Sequence, residues 1–365
     1  MKKVGMVGVG CISGIYLENL TTRFRNVNVY CVCDLAEDKA KAQAEKYGIE
    51  RIMTFDEILA DPAIEIVLNI TTPQTHYSLS KKALEAGKHV YMEKPLSLNY
   101  EQGKELVALA AEKGLLVGCA PDTFLGAGIQ TCRRIIDEGV IGDIIGATAF
   151  MMCHGHESWH PDPEFYYKRG GGPMFDMGPY YLTALVNLLG PVEYVAGMTS
   201  MATPTRTITS QPKNGTVIDV EVPTHVNGML RFDSGAIGTI TTTFDVHYDK
   251  QASLEIYGTQ GTLRVPDPNG FGGPIQLLRP EDGSFKEIPL AFDYKENSRG
   301  LGLADMAKAI QTGRRPRADY SQTLHVLEIM TAIEKSSQEK KVIELETSYE
   351  RAAAMRNDMV RGILD

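Results

Sequence analysis

The sequence predicts two domains of different class. An α/β domain with a doubly wound parallel sheet comes first, and a larger α+β domain built on a mostly antiparallel sheet follows. Three observations predict this. The glycine loop Gly8-Val9-Gly10-Cys11-Ile12-Ser13-Gly14 directly follows the first apolar run. Strand-like and helix-like segments then alternate as far as Cys119, the pattern of a parallel sheet with helices on both faces. After about Pro121 the texture changes to strands punctuated by turns. A chain of 365 residues accommodates both domains, at residues 1–121 and 122–365.

The elements follow in order. Residues 3–7 read as a short apolar strand, and residues 12–20 as a helix by the spacing of Ile12, Ile15, Tyr16 and Leu20. Residues 27–33 are β-rich and end in Asp34; residues 37–47 are a polar, alanine-rich helix closed by Gly48. Residues 64–70 are rich in β-branched side chains without a polar alternation, as in a strand buried on both faces. A helix over 76–86 stops at Gly87, and a strand over 89–92 leads into Glu93-Lys94-Pro95. A helix over 100–112 ends at Gly114, before a last strand at 115–119. Beyond, a helix spans 124–138 and a strand 143–153, with further strands at 222–232, 236–244, 253–257 and 262–265. Helices near 303–311 and 320–335 close the pattern, and 267–273 reads as a flexible loop.

Composition narrows the partners. Hydrophobic residues make up 43% and charged residues 23%, ordinary for a globular chain. The net charge is −9 with no basic block, which argues against nucleic acid and anionic membrane surfaces as partners. No apolar run approaches the roughly 20 residues that span a bilayer. The N-terminal segment reads as a strand rather than a signal peptide. Six cysteines without a CxxC pair fit a reducing, cytoplasmic setting.

The chemistry is carried by four motifs. In the glycine loop, Gly8 permits a tight turn and Gly10 a close approach of backbone to a pyrophosphate. Cys11 and Ile12 open the helix whose first amides face the phosphate charge. Ser13 stands where a third glycine is commoner. Asp34 closes the second strand, where a carboxylate bonds a ribose 2′-hydroxyl and repels a 2′-phosphate; NAD is therefore expected over NADP. The plain alternative for Asp34 is a helix cap. Thr71-Thr72-Pro73 and His76 stand at the next strand edge, in reach of a dinucleotide, although His76 reads equally well as a surface histidine.

Glu93-Lys94-Pro95 ends the fourth strand. A lysine at the carboxyl edge of such a sheet is placed for proton transfer. Its neighbour Glu93 is positioned to orient the amine or to help set its charge, and burial is expected to lower the lysine pKa. In Gly170-Gly171-Gly172-Pro173-Met174-Phe175-Asp176-Met177-Gly178-Pro179-Tyr180, Asp176 and Tyr180 are four apart. A helix starting there puts carboxylate and phenol on one face; helix capping by Asp176 with Tyr180 in the core is the alternative. Last, His156-Glu157-Ser158-Trp159-His160 spells the letters of a zinc-protease motif, which requires a helix. Gly155 and Pro161-Asp162-Pro163 flank it, so a substrate loop is expected, with Trp159 offering a flat face to a sugar ring and His156 and His160 hydrogen bonds to hydroxyls. No metal is assigned.

On the glycine loop, Asp34, Glu93-Lys94-Pro95, the Gly-Gly-x-x-x-Asp-x-Gly pattern and Leu324-His325-Val326-Leu327-Glu328, the chain resembles the Gfo/Idh/MocA oxidoreductases over nearly its whole length. The resemblance implies an N-terminal Rossmann domain and a C-terminal domain with an open-faced sheet, through which dimers or tetramers form. It implies NAD(P)-dependent oxidation or reduction of sugars, cyclitols and related diols. Many members carry histidine at the position of Tyr180 and aspartate at that of Thr183. Tyrosine, with a reference pKa near 10, is the poorer base and the better hydrogen-bond donor, which leaves more of the proton work to Lys94.

The resulting expectation is hydride transfer between nicotinamide and a secondary alcohol or ketone of a sugar-like substrate. Lys94, Asp176 and Tyr180 are its catalytic residues, and Lys94, His156, Trp159, His160, Asp176 and Tyr180 its substrate contacts. The cofactor contacts are Gly8, Gly10, Cys11, Ile12, Asp34, Thr71, Thr72, Pro73, His76, Glu93 and Lys94. Three rivals are a lyase, hydrolase or epimerase with permanently bound NAD, a non-catalytic NAD-sensing regulator, and a metallohydrolase using His156, Glu157 and His160.

Overall fold

The computed structural model describes residues 1–247, 253–358 and 360–365. The N-terminal half follows the alternation of its sequence. Strands β1 (Lys2–Val7), β2 (Val27–Cys33), β3 (Ile66–Asn69), β4 (His89–Met92) and β5 (Val117–Cys119) form one sheet. Its order is β2-β1-β3-β4-β5, and every pairing is parallel. The central strands β3 and β4 are buried along almost their whole length, because helices cover both faces of the sheet. These are α1 (Ser13–Thr22), α2 (Glu37–Tyr47), α3 (Phe55–Ala60), α4 (Pro73–Glu85) and α5 (Tyr100–Lys113). Gly48 and Gly114 close α2 and α5 in the left-handed conformation, as glycine does without steric cost. Helix α3 is absent from the expectation, although Thr54 and Glu57 form the capping box that starts it.

Chain order reverses at β1, which lies between β2 and β3, so the crevice at the carboxyl ends of β1 and β3 is the topological switch point. Ligands of open α/β sheets bind in such crevices.

After a short 3-10 turn at Thr123–Leu125, α6 (Ala127–Asp137) leads into the second sheet. The expected single helix over 124–138 is thus two pieces, broken at Gly126, whose extended backbone starts α6. The sheet comprises β6 (Ile144–Met152), β7 (Val192–Ser200), β10 (His225–Phe232), β11 (Ile237–Thr243), β12 (Leu254–Gly258), β13 (Gly261–Val265), β14 (Ile275–Leu278), β15 (Lys286–Ile288) and β16 (Ile343–Glu344). Its order is β15-β14-β13-β12-β6-β11-β10-β7-β16, antiparallel except at β6–β11. Strands β8 (Thr205–Thr207) and β9 (Val217–Asp219) pair apart from it.

One face of this sheet carries α7 (Gly172–Leu189) and α9 (Tyr320–Glu339), while α8 (Leu301–Thr312) packs on β5. Gly197 and Gly228 admit α9: a Cβ at Gly197 would lie 2.5 Å from the Ile333 carbonyl oxygen. The opposite face leaves Met198, Met229 and Ile237 exposed. The segment 267–273, expected to be flexible, is instead anchored: Phe271 is buried and its carbonyl accepts the Gly128 N–H at 2.9 Å. None of the described helices is long and apolar enough to cross a membrane.

Candidate active site

The glycine loop turns away from β1 at Gly8, with φ of +94°, and its N–H bonds the Cys33 carbonyl at 2.8 Å. A Cβ at Gly8 would meet the Ile70 carbonyl oxygen at 2.8 Å, so the loop lies flat against β3. At Gly10 no atom lies within 4 Å of a built Cβ, which leaves open space for a ligand. Ser13 is fully buried and donates to the Gly10 carbonyl at 2.7 Å, closing the loop where a glycine was absent. Cys11 is exposed at the rim. Asp34 accepts the Val9 N–H at 2.8 Å and the Ala36 N–H at 2.9 Å, tying β2 to the loop with its carboxylate at the crevice. These features fit a dinucleotide, its phosphates against the loop and its ribose against Asp34.

Thr72 and Pro73 start α4, and Thr71 and Pro73 line the crevice. His76 corrects the sequence reading. It is fully buried, with Nδ1 2.9 Å from the Pro95 carbonyl oxygen and Nε2 3.1 Å from that of Thr71. A side chain so enclosed ties two loops together and cannot touch a ligand. Glu93 corrects another: its Oε1 accepts the Tyr16 phenol at 2.7 Å and its Oε2 the Lys94 N–H at 3.1 Å. It bonds the backbone of Lys94 and not its amine, and acts on the amine only through its charge.

A cavity of about 650 Å³ opens between the two sheets, lined by Ile12, Thr71 and Lys94 from the first domain and by His156, Asp176 and Tyr180 from the second. Helix α7 begins at Gly172, earlier than Asp176, so Asp176 and Tyr180 share one face of it, as their spacing predicted. Lys94 Nζ lies 2.9 Å from Asp176 Oδ1 and also donates to the Asp176 carbonyl. Asp176 Oδ2 lies 3.2 Å from His156 Nε2. Lys94 Nζ stands 5.2 Å from the centre of the Tyr180 ring.

The electrostatics decide the charges. Burial would raise the Asp176 carboxyl, but Lys94 and His156 pull it down to about 2. Burial would lower Lys94, yet Asp176, Tyr180 and Glu93 outweigh it and hold the ammonium above the ordinary lysine range. The expected lowering of Lys94 is therefore overturned: in the free protein it is an acid. Burial raises the Tyr180 phenol, with Lys94 and Arg299 opposing, so the hydroxyl stays neutral.

The histidine-rich segment divides. His156 faces the cavity and Trp159 stands at its mouth, 61% exposed. His160 does not line the cavity; its Nδ1 accepts the Asp162 N–H at 3.0 Å. Glu157 pairs with Arg206 at 2.8 Å. The segment makes a single turn, and its two histidines point to different partners. Sequence reasoning missed Tyr166, Phe175, Asn269 and Arg299, which also line the cavity. Asn269 lies in the segment read as flexible, and no local signal marks Arg299.

The fold pairs a Rossmann-like parallel sheet with a larger, mostly antiparallel sheet, and the cavity between them brings Lys94, Asp176 and His156 together. Residues 2–120 match the oxidoreductase family with an NAD-binding Rossmann fold, and residues 129–264 match the GFO/IDH/MocA C-terminal domain. The chain belongs to the Gfo/Idh/MocA family. It is 27% identical to the scyllo-inositol 2-dehydrogenase (NAD(+)) of Bacillus subtilis, over 86% of this chain and 87% of the relative. It is also 27% identical to the 1,5-anhydro-D-fructose reductase of Ensifer adhaerens, over 95% and 99% of the two chains. Among solved structures, levoglucosan dehydrogenase in complex with NADH and L-sorbose superposes with a TM-score of 0.81 at 21% identity, covering 95% of this chain and 99% of that one.

Proposed function

We propose that the protein transfers a hydride between NAD and a secondary alcohol or ketone of a sugar, glycoside or cyclitol. The observation that carries this reading is the Lys94–Asp176–His156 cluster, at one wall of a cavity that also reaches the glycine-loop crevice. In this reading residues 1–121 hold the cofactor and residues 122–365 the substrate.

When bound, nicotinamide accepts or releases the hydride at its C4. The chain supplies the proton. In reduction, the Lys94 ammonium gives its proton to the carbonyl oxygen as the hydride reaches the carbon, and the neutral amine is left. In oxidation, the neutral amine takes the hydroxyl proton, so Lys94 must first release its own proton to solvent. Asp176, held at about 2, stays a carboxylate throughout and anchors the amine. Tyr180, kept neutral by burial, donates a hydrogen bond to the reacting oxygen. Trp159 and Tyr166 offer apolar faces to a sugar ring, and His156 a hydrogen bond to a hydroxyl.

NAD is preferred over NADP because Asp34 repels a 2′-phosphate, and Leu35 and Ala36 beside it offer no cation. Relatives of both preferences occur: Bacillus subtilis also has a scyllo-inositol 2-dehydrogenase (NADP(+)), 24% identical to this chain. We further infer a homodimer or homotetramer through the exposed sheet face of Met198, Met229 and Ile237, working in the cytoplasm. Absorbance at 340 nm, with NAD and a panel of hexoses, cyclitols, sugar acids and glycosides, tests the activity. Turnover that is lost in Lys94→Ala supports it. Products without net redox change, formed without added cofactor, would replace it with the bound-cofactor rival.

A further inference from the structure

The loop that carries His156 makes a single turn between β6 and the 3-10 turn at Pro163–Tyr167, with no strand or helix of its own to set its course. Its shape is imposed from behind. Strands β8 and β9 and the turn between them stand apart from the large sheet and direct their polar groups onto this loop. The Thr209 and Ser210 N–H groups both bond the Glu157 carbonyl at 2.9 Å, and Ser210 Oγ donates to the His160 carbonyl at 2.5 Å. Lys213 reaches Asp162 at 2.7 Å and Glu164 at 2.5 Å.

Arg206, buried on β8, lies at the centre of this clasp. Its Nη1 donates to Glu157 Oε1 at 2.8 Å, and its Nη2 to the Phe244 carbonyl at 2.9 Å and to Asp245 Oδ1. Both directions lead to His156. Glu157 follows it in the chain, and Glu157 Oε2 accepts the Tyr167 hydroxyl, whose oxygen accepts the His156 N–H at 3.4 Å. The Phe244 ring meets the imidazole edge-on, with centroids 4.6 Å apart, and the Tyr166 ring lies 4.1 Å from it. The imidazole so held places Nε2 3.2 Å from Asp176 Oδ2. An ionised carboxylate only accepts, so Nε2 carries the hydrogen.

We propose that Arg206 is a positioning residue of the active site: it ties Glu157 to Phe244 and thereby fixes the His156 ring as a hydrogen-bond donor to Asp176. A guanidinium suits this task, because its planar fork holds two partners at a fixed angle. The second oxygen of Asp245 is met by Thr224 Oγ1 at 2.6 Å, so the buried charges around Arg206 are paired and hydrogen-bonded. Both oxygens of Glu157 are taken, which makes the glutamate of the zinc-protease letters an anchor for the histidine before it. Against burial, that histidine joins Lys94 in keeping Asp176 ionised. The effect on turnover rests on the hydride-transfer reading; the effect on His156 does not.

The ring is read directly by NMR. In protein with ¹⁵N-labelled histidine side chains, ring-nitrogen shifts detected through the carbon-bound ring protons tell which nitrogen carries the hydrogen, and the His156 signals are those missing in His156→Ala. In alkaline buffer, where imidazole is neutral, the wild type should show the Nε2–H form alone. Arg206→Gln should show a mixture with the Nδ1–H form, and Arg206→Lys a mixture nearer the wild type. In kinetics, Arg206→Gln should lower kcat/KM for the sugar-like substrate about tenfold with NAD affinity unchanged, and by less than about twofold in a His156→Ala background. A mixture already in the wild type, an unchanged spectrum in Arg206→Gln, equal losses in both backgrounds or a parallel loss of NAD affinity would overturn the proposal. If Arg206→Gln does not fold, Tyr167→Phe, which cuts the link between the His156 N–H and Glu157 and keeps the ring, is read by the same signals and should also give a mixture. A mixture in Arg206→Gln, in a protein whose wild type turns over no sugar-like substrate, would uphold the positioning of His156 and remove the hydride-transfer reading.

Discussion

Asp176→Asn isolates the charge at the centre of the site. The amide keeps the shape of the carboxylate and an oxygen to face Lys94 Nζ, which lies 2.9 Å from Asp176 Oδ1. The charge is lost, and the oxygen that faces His156 Nε2 at 3.2 Å is replaced by an amide N–H donor. The carboxyl is held at about 2 against an ordinary value of 3.8, with 17% of the side chain exposed. At 1.36 kcal/mol per pH unit, this amounts to about 2.4 kcal/mol favouring the ionised form in the folded state. The sign follows from a lowered carboxyl pKa: the stabilisation is complete above the unfolded value near 3.8 and is lost as pH falls through the folded value near 2. Urea unfolding of wild type and Asp176→Asn, followed by tryptophan fluorescence, should differ by up to about 2.4 kcal/mol at pH 7 and by about 1.3 kcal/mol at pH 3. Other carboxylates titrate in both proteins and cancel in the difference. A difference that stays constant from pH 7 to pH 3 would refute the reasoning, because a shape effect has no such pH dependence. So would equal stability at both values.

Lys94→Met should lower turnover by about 10²–10⁴-fold, the usual worth of a positioned proton donor, while calorimetry finds NAD affinity nearly unchanged. The raised Lys94 predicts opposite pH dependences for the two directions: kcat/KM for oxidation rises as pH increases toward the lysine pKa, and kcat/KM for reduction is flat at neutral pH and falls only in strong alkali. Stopped-flow or steady-state profiles in both directions check this. Asp34→Ser removes the charge that opposes a 2′-phosphate, and should raise NADP affinity about tenfold or more while weakening NAD, as measured by quenching of protein fluorescence. Gly126→Ala would set a Cβ 2.5 Å from the Phe271 carbonyl oxygen and push the loop that carries Asn269. It should destabilise the fold by about 1–3 kcal/mol by thermal melting, and raise KM for substrate more than for NAD.

What the sequence determined by itself was local. Helix and strand periods, glycine stops and the glycine loop are written in neighbouring residues, so the first sheet was legible almost strand by strand. Asp34 after β2, and Asp176 with Tyr180 one helical turn apart, followed from the same short-range geometry. Even so, Pro179 inside α7 and the capping box at Thr54 show that boundaries depend on packing as well as propensity.

The tertiary structure alone decided who meets whom. Lys94 and Asp176 are 82 residues apart, and Tyr16 and Glu93 are 77 apart. Such pairs are fixed by how the elements pack, Lys94 after β4 against Asp176 on α7 of the other domain and Tyr16 on α1 against Glu93 after β4, and no sequence window contains both partners. His156 and His160 look equivalent in the sequence, yet one bonds Asp176 and the other the Asp162 backbone. His76, read as a possible ligand contact, lies sealed beneath two loops. Arg299 and Asn269 carry no local signature, because their roles come from loops folded back onto the cleft. The charge of Lys94 was the least legible of all. Burial and its neighbours act in opposite directions, and which one wins depends on distances that exist only once both domains are in place.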